Sequence, residues 1–248
     1  MSLFEGTIEA GDFRSILNSS TVIYEESRVF FEDNSVKIRV TDPSGVGVVV
    51  LDISESAFTD SEIGSGDICC DFSEIADMIK MAGGSTDIDL KVNEHDLVID
   101  FIDLQFTVKL IDPDTLDKDT EKPDIDLEGE VVLESAAFKR GVNAADLVAD
   151  HVELGVDDEE EAFYMKSKGD INEVILKRRK KDLVTINLEP VSSTFSVEYL
   201  KDICSAIPDD TPISITLGED FPSEISYSTI EDAVDVTYFL APRIQPDS

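Results

Sequence analysis

Basic residues are scarce in this chain, with 20 Lys and Arg against 55 Asp and Glu and a formal net charge of −35 at pH 7. At ordinary ionic strength the acidic side chains would repel one another and destabilise a compact fold. At molar salt the screening length falls to about 3 Å, so most of that repulsion disappears. Because the acidic residues are scattered over turns and polar faces, we interpret the charge as adaptation to a salt-filled cytoplasm. The alternative is a protein that mimics nucleic acid.

Cysteine and histidine are also rare. The three cysteines, of which Cys69 and Cys70 are adjacent, form neither a disulfide framework nor a zinc-binding spacing. The two histidines, His95 and His151, lie in no metal-ligand spacing. We therefore expect buried, reduced cysteines, no metal and no cofactor.

Long hydrophobic runs are missing as well. No apolar stretch approaches the ~20 residues of a membrane span. The first residues contain neither the basic segment nor the long apolar segment of a signal peptide. These features predict a cytoplasmic protein with no membrane partner.

Sequence signatures of catalysis are absent. The chain contains neither a Gly-x-x-x-x-Gly-Lys-Ser/Thr loop nor a Gly-x-Gly-x-x-Gly loop for phosphate. No nucleophile motif accompanies the histidines. Carboxylates are so abundant that pairs of them carry little information. We expect a protein that is not an enzyme.

A faint internal repeat spans the chain at a shift of about 125 residues. The segment 72–90 aligns with 197–215, so that Ile75 falls on Leu200 and Ile88 on Ile213. Repeats indicate architecture before any single motif does. We expect two similar domains, 1–112 and 128–248, and a protein that acts by its shape.

Apolar residues at spacings of three and four predict four short helices. The third includes Leu147 as a further candidate for its apolar face. The predicted helices are Ala10–Ser20, Phe72–Ala82, Ser135–Val148 and Val197–Ala206.

Period-two alternation elsewhere predicts strands with one buried face and one wet face. Each half therefore looks like two short helices on a mostly antiparallel sheet, an α+β fold. The clearest strand patterns are Val36–Val40, Ile88–Val92, Phe106–Leu110, Ile213–Leu217 and Val234–Tyr238.

Residues 113–127 are rich in charged side chains, contain Pro113 and Pro123, and lack periodicity. They indicate an extended linker crossing a surface. Leu116 and Ile125 would be unnecessary in a plain linker but useful in one that helps to form the wall of a groove.

Five of the 20 basic residues form one run at 177–181. Nucleic-acid patches usually combine cations with aromatic residues or place them on a helix, and this run contains no aromatic residue. We favour an exposed strand end that offsets nearby acidic charge.

Three segments carry a resemblance to a known family: Val40–Leu51, Lys109–Asp114 and Tyr238–Ile244. With the length, the repeat, the acidic linker and the short C-terminal tail, the chain resembles the archaeal form of proliferating cell nuclear antigen (PCNA), the DNA sliding clamp. The high acidity makes it similar to a clamp of a haloarchaeon or of a haloarchaeal virus. The resemblance covers nearly the whole chain.

The resemblance implies a DNA-clamp fold closed as a homotrimeric ring, with helices around a central hole. It implies a processivity factor for replication and repair that encircles duplex DNA without sequence preference. A ring with three times the chain's net charge of −35 cannot hold DNA by bulk attraction, but a closed ring holds it by topology. The cations expected to face DNA are Arg14, Lys80, Lys139, Arg140 and Lys201.

The resemblance also implies a hydrophobic groove that binds short PIP-type peptides as helical plugs. Through it the ring would tether DNA polymerase, flap nuclease and DNA ligase, and would meet its clamp loader. The groove residues expected are Val46, Val48, Leu116, Ile125, Pro222, Leu240, Ala241, Pro242 and Ile244.

Subunits of the family join through edge strands, which satisfies otherwise open backbone groups. Lys177 and Arg178 would then lie near a junction and pair with acidic residues of the neighbour. The expected interface residues are Phe106, Val108, Leu110, Val174, Leu176, Lys177 and Arg178. The alternative function is that of an acidic DNA mimic that inhibits a DNA-binding protein.

Overall fold

The computed structural model describes residues 2–32, 34–112, 127, 129–187 and 189–243. Contacts within the chain divide it into two compact units. Unit 1 holds the described residues of Met1–Pro43, Val49–Glu121 and Ser228–Val236. Unit 2 holds those of Ser44–Val48, Lys122–Tyr227 and Thr237–Ser248. Within the described part of the chain, each half contributes two helices and nine strands.

The four predicted helices are confirmed, with small differences at their ends. Asp71 is the N-cap of α2, and its carboxylate accepts hydrogen bonds from the backbone N–H groups of Ser73 and Glu74 at 2.8 and 3.2 Å. The helices are α1 (Ala10–Thr21), α2 (Phe72–Ile79), α3 (Ser135–Asp146) and α4 (Val197–Ala206).

Leu147 does not join the apolar face of α3, contrary to prediction. The helix ends at Asp146, and the Leu147 side chain that follows is 84% exposed. The buried side of α3 consists of residues such as Phe138, Val142 and Ala145, as the three-and-four spacing predicts.

The first half of the chain contains a five-stranded sheet in the order β5-β1-β7-β8-β9 and a further set of neighbouring strands in the order β4-β3-β2-β6. Its strands are β1 (Ser2–Glu9), β2 (Glu26–Glu32), β3 (Ser35–Thr41), β4 (Gly47–Ser54), β5 (Thr59–Ile63), β6 (Gly66–Asp71), β7 (Asp87–Asn93), β8 (Asp96–Phe101) and β9 (Leu104–Lys109). Strand β9 lies at one edge of the five-stranded sheet.

The second half of the chain contains a four-stranded sheet in the order β13-β12-β11-β15 and neighbouring strands in the order β14-β10-β16-β17-β18. Its strands are β10 (Gly129–Glu134), β11 (His151–Asp157), β12 (Ala162–Lys168), β13 (Glu173–Arg179), β14 (Thr185–Ile186), β15 (Val191–Ser196), β16 (Pro212–Leu217), β17 (Ser223–Thr229) and β18 (Val234–Leu240). Strands β13 and β15 lie at the two edges of the four-stranded sheet.

The internal repeat is visible in the cores. Ile75 of α2 and Leu200 of α4 are both fully buried, and so are Ile88 of β7 and Ile213 of β16. Full burial of such a side chain contributes roughly 1.5–3 kcal/mol to stability. Equivalent positions of the two halves therefore anchor equivalent helices and strands.

The predicted linker at 113–127 lies outside the described residues except for Leu127. The proposed domain limits 1–112 and 128–248 therefore remain a prediction. Among the described residues, no helix is both long and apolar enough to cross a bilayer.

Candidate functional sites

Arg14 and Lys139, both predicted to face DNA, donate hydrogen bonds to backbone carbonyl groups at helix ends. Arg14 Nη1 donates hydrogen bonds to the carbonyl oxygens of Ile79 and Ala82 at 3.3 and 2.9 Å. Lys139 Nζ donates to the carbonyl oxygen of Ile207 at 2.7 Å. In both units a cation of the first helix thus satisfies carbonyl groups at the end of the second helix, where the helix dipole favours positive charge.

Most of the predicted DNA-facing cations also have a carboxylate partner. Lys139 lies 2.7 Å from Asp209 Oδ1, Lys201 lies 2.7 Å from Asp146 Oδ2, and Lys80 lies 2.6 Å from Asp77 Oδ1. The hydrogen bond that Lys201 Nζ donates to Asp146 raises the pKa of Lys201 above its ordinary value. The hydrogen bond from Lys139 lowers the pKa of Asp209. These two shifts favour the charged forms of Lys201 and Asp209.

Arg140 differs from these cations. It is exposed, and among the described residues it makes no ion pair or side-chain hydrogen bond. Its neighbours one helical turn away, Ala136 and Asn143, are also exposed, while Phe138 and Val142 are buried. Arg140 therefore stands on the solvent stripe of α3, opposite the core.

The chain segments of the predicted partner groove come together in unit 2. The backbone N–H of Ala241 donates to the carbonyl oxygen of Val46 at 2.8 Å. Two residues later, the backbone N–H of Arg243 donates to the carbonyl oxygen of Thr194 in β15 at 2.7 Å. Gly45 takes the left-handed conformation (φ 73°) in the turn before Val46, which a glycine adopts without strain. Val46, Ala241 and Pro242 are half-buried, so each of them remains partly open to solvent.

Two predicted groove residues need correction. Leu240 is 0% exposed and Val48 is 6% exposed, so both are core residues that support the surface from below. Alternation along a strand sends Leu240 to the interior, whereas the residues after the end of β18 remain at the surface. Three further predicted residues, Leu116, Ile125 and Ile244, lie outside the described residues.

The loop that holds Pro222 is bound to the same strand. The backbone N–H of Asp220 donates to the carbonyl oxygen of Ser192 at 3.2 Å. The hydroxyl of Ser193 donates to the carbonyl oxygens of Gly218 and Phe221 at 2.9 and 3.2 Å. Strand β15 therefore holds both this loop and the C-terminal segment.

Phe221 is an apolar surface residue that sequence reasoning missed. Its side chain is 54% exposed and precedes the half-buried Pro222. A side-chain carbon added at Gly218 would lie 3.1 Å from Phe221 Cβ and 3.1 Å from Leu127 Cδ2, so both side chains flank that glycine. An aromatic residue beside a proline in a loop was the available signal, because an exposed aromatic often marks a binding surface.

The predicted interface residues lie at sheet edges. Phe106 and Val108 belong to β9, with Leu110 just after it, and Val174 and Leu176 belong to β13. Among the described strands, β9 pairs with β8 alone and β13 with β12 alone. Phe106, Val174 and Leu176 are half-buried, and Val108 is buried. Both strands can therefore accept a further strand.

The basic run pairs with acidic residues of its own unit. Lys177 Nζ lies 2.6 Å from Glu160 Oε1, and Lys180 Nζ lies 3.8 Å from Glu161 Oε1. Arg178 Nη2 donates to the carbonyl oxygen of Asp182 at 3.2 Å. The run forms the end of β13 and the following 3-10 turn, as the charge-offset interpretation predicts.

The described residues offer few candidates for a metal site or a reactive thiol. Within the ranges that the structure describes, no cluster of three or more His, Cys, Asp or Glu could hold a metal ion. Cys69, Cys70 and Cys204 are buried and form no disulfide with one another. Burial raises the pKa of the Cys204 thiol to about 12, which keeps it protonated and unreactive at neutral pH.

Comparisons with known proteins agree on one family. Residues 121–243 match the family described as "Proliferating cell nuclear antigen, C-terminal domain". The chain is similar to the DNA polymerase sliding clamp of Natronomonas pharaonis, with 38% identity over 247 residues that cover 99% of this chain and 100% of the relative. It is similar to that of Haloarcula marismortui, with 36% identity and the same coverage.

Among solved structures, the chain is similar to the one described as "C-terminal region of FEN-1 bound to A. fulgidus PCNA". The TM-score is 0.92 at 26% sequence identity, and the match covers 98% of this chain and 100% of the other.

Proposed function

The chain belongs to the PCNA family of DNA polymerase sliding clamps, and we propose that three copies of it close into a ring around duplex DNA. Two look-alike units per chain support such a ring, since six similar units would surround the hole. The edge strands β9 and β13 supply open backbone groups for joining one copy to the next. The ring would act by topology, without a catalytic step.

The observation that carries this proposal is the match along 98% of the chain to a clamp bound to the C-terminal region of FEN-1. By extension, the surface formed by Val46, Pro222, Ala241 and Pro242 would bind peptides of a flap nuclease, a DNA polymerase and a DNA ligase. A clamp loader would use the same surface to place the ring on DNA. Helix-in-groove binding of this kind depends on apolar anchors in a surface depression.

The haloarchaeal relatives and the net charge of −35 support the proposal that the protein functions in a high-salt cytoplasm. Few free cations face the proposed DNA side, since Lys80, Lys139 and Lys201 are already paired with carboxylates. A closed ring tolerates this, because it needs no strong phosphate contacts to remain on DNA. The family match replaces the alternative of an acidic DNA mimic, which would need neither ring nor groove.

A peptide-binding measurement tests the groove. We expect the chain to bind a fluorescent peptide with the pattern Gln-x-x-aliphatic-x-x-aromatic-aromatic, and to lose that binding when Val46 or Pro242 is changed to Glu. Leu240 is unsuitable for this test, because a change at a fully buried position would damage the fold. Ile171→Glu is the matched control, since it adds the same charge at an exposed apolar residue outside the groove.

A topological measurement tests the ring. After loading, the protein should remain on a nicked circular plasmid in high salt and leave when the plasmid is cut to a linear form. Equal loss from circular and linear DNA would contradict encirclement. Molecular mass in solution across a salt series would show directly whether three copies associate.

A further inference from the structure

Asp150 lies at a junction of three elements in unit 2. Its carbonyl oxygen accepts a hydrogen bond from the backbone N–H of Val197, the first residue of α4, at 3.0 Å. Its Oδ1 accepts a hydrogen bond from His151 Nδ1, at the start of β11, at 2.9 Å. Its Oδ2 lies 2.8 Å from Arg243 Nη1, in the segment that follows β18. One aspartate thus binds a helix start, a strand start and the C-terminal segment.

The C-terminal segment has few other attachments among the described residues. After β18 ends at Leu240, Ala241 and Arg243 each donate one backbone hydrogen bond, to Val46 and to Thr194. Pro242 between them has no N–H to donate. The Arg243–Asp150 ion pair therefore adds a charged side-chain contact that ties this segment to the starts of β11 and α4.

We propose that Asp150 is a positioning residue for the partner groove: its carboxylate anchors Arg243 and so holds Ala241 and Pro242 in place as one wall. The inference rests on the proposed groove function. A wall that is already held in its bound position costs less conformational entropy when the peptide binds. A wall that spends part of its time displaced lowers the apparent affinity by the fraction of competent molecules.

The geometry favours a role in positioning over a role in global stability. The side chains of Arg243 and Asp150 are 44% and 74% exposed, and exposed ion pairs contribute little to the stability of a fold. However, the pair acts on a short segment with two backbone hydrogen bonds, so a small energy is enough to change the position of that segment. The effect should appear in peptide affinity before it appears in the melting temperature.

The test uses the full chain and the fluorescent Gln-x-x-aliphatic-x-x-aromatic-aromatic peptide. At about 0.1 M salt we expect Asp150→Asn to weaken peptide binding about two- to fivefold, the range of an exposed ion pair. Arg243→Gln should weaken binding equally, and Arg243→Lys should retain most of it. The double variant Asp150→Asn, Arg243→Gln should be no weaker than either single variant, because both remove one interaction.

Salt and a control variant separate positioning from general damage. The difference between wild type and Asp150→Asn should narrow as salt rises to the molar range, since salt screens the ion pair but not apolar contacts. Asp146→Asn is the matched control: it also removes a carboxylate that pairs with a cation, Lys201, but no hydrogen bond or ion pair joins Asp146 to the described residues 241–243. We expect it to bind the peptide as the wild type does.

Three outcomes would overturn the inference. The first is that the wild type binds the peptide at low salt and that Asp150→Asn and Arg243→Gln both bind it with the same affinity as the wild type. This result would leave the proposed function intact. The second is an equal loss in Asp146→Asn. The third, no binding by the wild type itself, would overturn the proposed groove together with the inference.

Discussion

Lys139 Nζ donates a hydrogen bond to the carbonyl oxygen of Ile207 at 2.7 Å. Arg14 stands 125 positions before Lys139, and it makes the same contact at 2.9 Å with Ala82, 125 positions before Ile207. The repeat therefore extends from residue types to a specific bond between helices. Family resemblance predicts that both cations face DNA, and it does not predict these bonds to carbonyl groups of their own unit.

This bond predicts a structural role for Lys139. Lys139→Met should lower the free energy of unfolding by about 1–2 kcal/mol, because hydrogen bonds of charged groups are the stronger ones and the Ile207 carbonyl would lose its donor. Retention on circular DNA should change little. Chemical unfolding and plasmid retention, measured on the same preparation, check both statements. Normal stability with poor retention would instead assign Lys139 to DNA.

Arg140 should behave in the opposite way. Arg140→Glu should leave the melting temperature unchanged, because the side chain is exposed and has no ion pair among the described residues. It should weaken the binding of the ring to duplex DNA, and Arg140→Ala should reduce the slope of log affinity against log salt by about one per subunit. DNA affinity at several salt concentrations measures this. An unchanged slope would exclude a phosphate contact by Arg140.

The subunit edges can be tested through strand β13. Lys177→Glu with Arg178→Glu should shift the sedimentation profile from trimer to monomer, because the change places acidic residues on an edge strand of a highly acidic chain. Lys180→Glu with Lys181→Glu changes the charge equally but lies in the 3-10 turn after the strand. This control should remain trimeric. Dissociation of both variants would point to total charge as the cause.

The Asp150 anchor predicts a dependence of stability on pH. Hydrogen bonds from His151 and Arg243 lower the pKa of Asp150 from 3.8 to about 2. A lowered pKa in the folded state means that the stabilisation is present above pH 3.8, the ordinary value, and is lost as pH falls through about 2. Since Asp150 is largely exposed, we expect the contribution to be at most about 1 kcal/mol.

Urea unfolding of the wild type and of Asp150→Asn at constant salt measures that contribution. The difference in unfolding free energy between the two proteins should be present at pH 5 and should disappear near pH 2. Comparing the two proteins removes the effect of other carboxylates that titrate in the same range. A difference that persists unchanged at pH 2 would contradict this role of the carboxylate.

Local patterns predicted the elements of the fold well. Spacings of three and four located α1 to α4, and alternation located strands such as β3, β7 and β16. Both periodicities arise within a few residues, where the backbone geometry itself sets which side chains share a face. Leu147 is the exception, because the end of a helix depends on the residues that follow it and on the packing there.

The candidate sites were predicted less completely. Sequence and family resemblance together selected Val46, Ala241 and Pro242, which the structure brings to one surface. They also selected Leu240, which the fold buries, and they missed Phe221, which it leaves exposed. Exposure depends on which strands and loops cover a residue, and that is a property of the packed chain.

The two-fold repeat, the helix and strand pattern, the family and the strongly acidic character can all be read from the chain, because each follows from residue types at short spacing or from similarity along the chain. Which charged side chains form ion pairs depends on how the chain folds. Lys139 and Lys201 bind carboxylates that lie 70 and 55 positions away in the sequence. Arg243 likewise binds Asp150, which is far from it in the sequence. The packing of helices and strands brings the two members of each ion pair together, and no local pattern in the sequence predicts that they will be close in space.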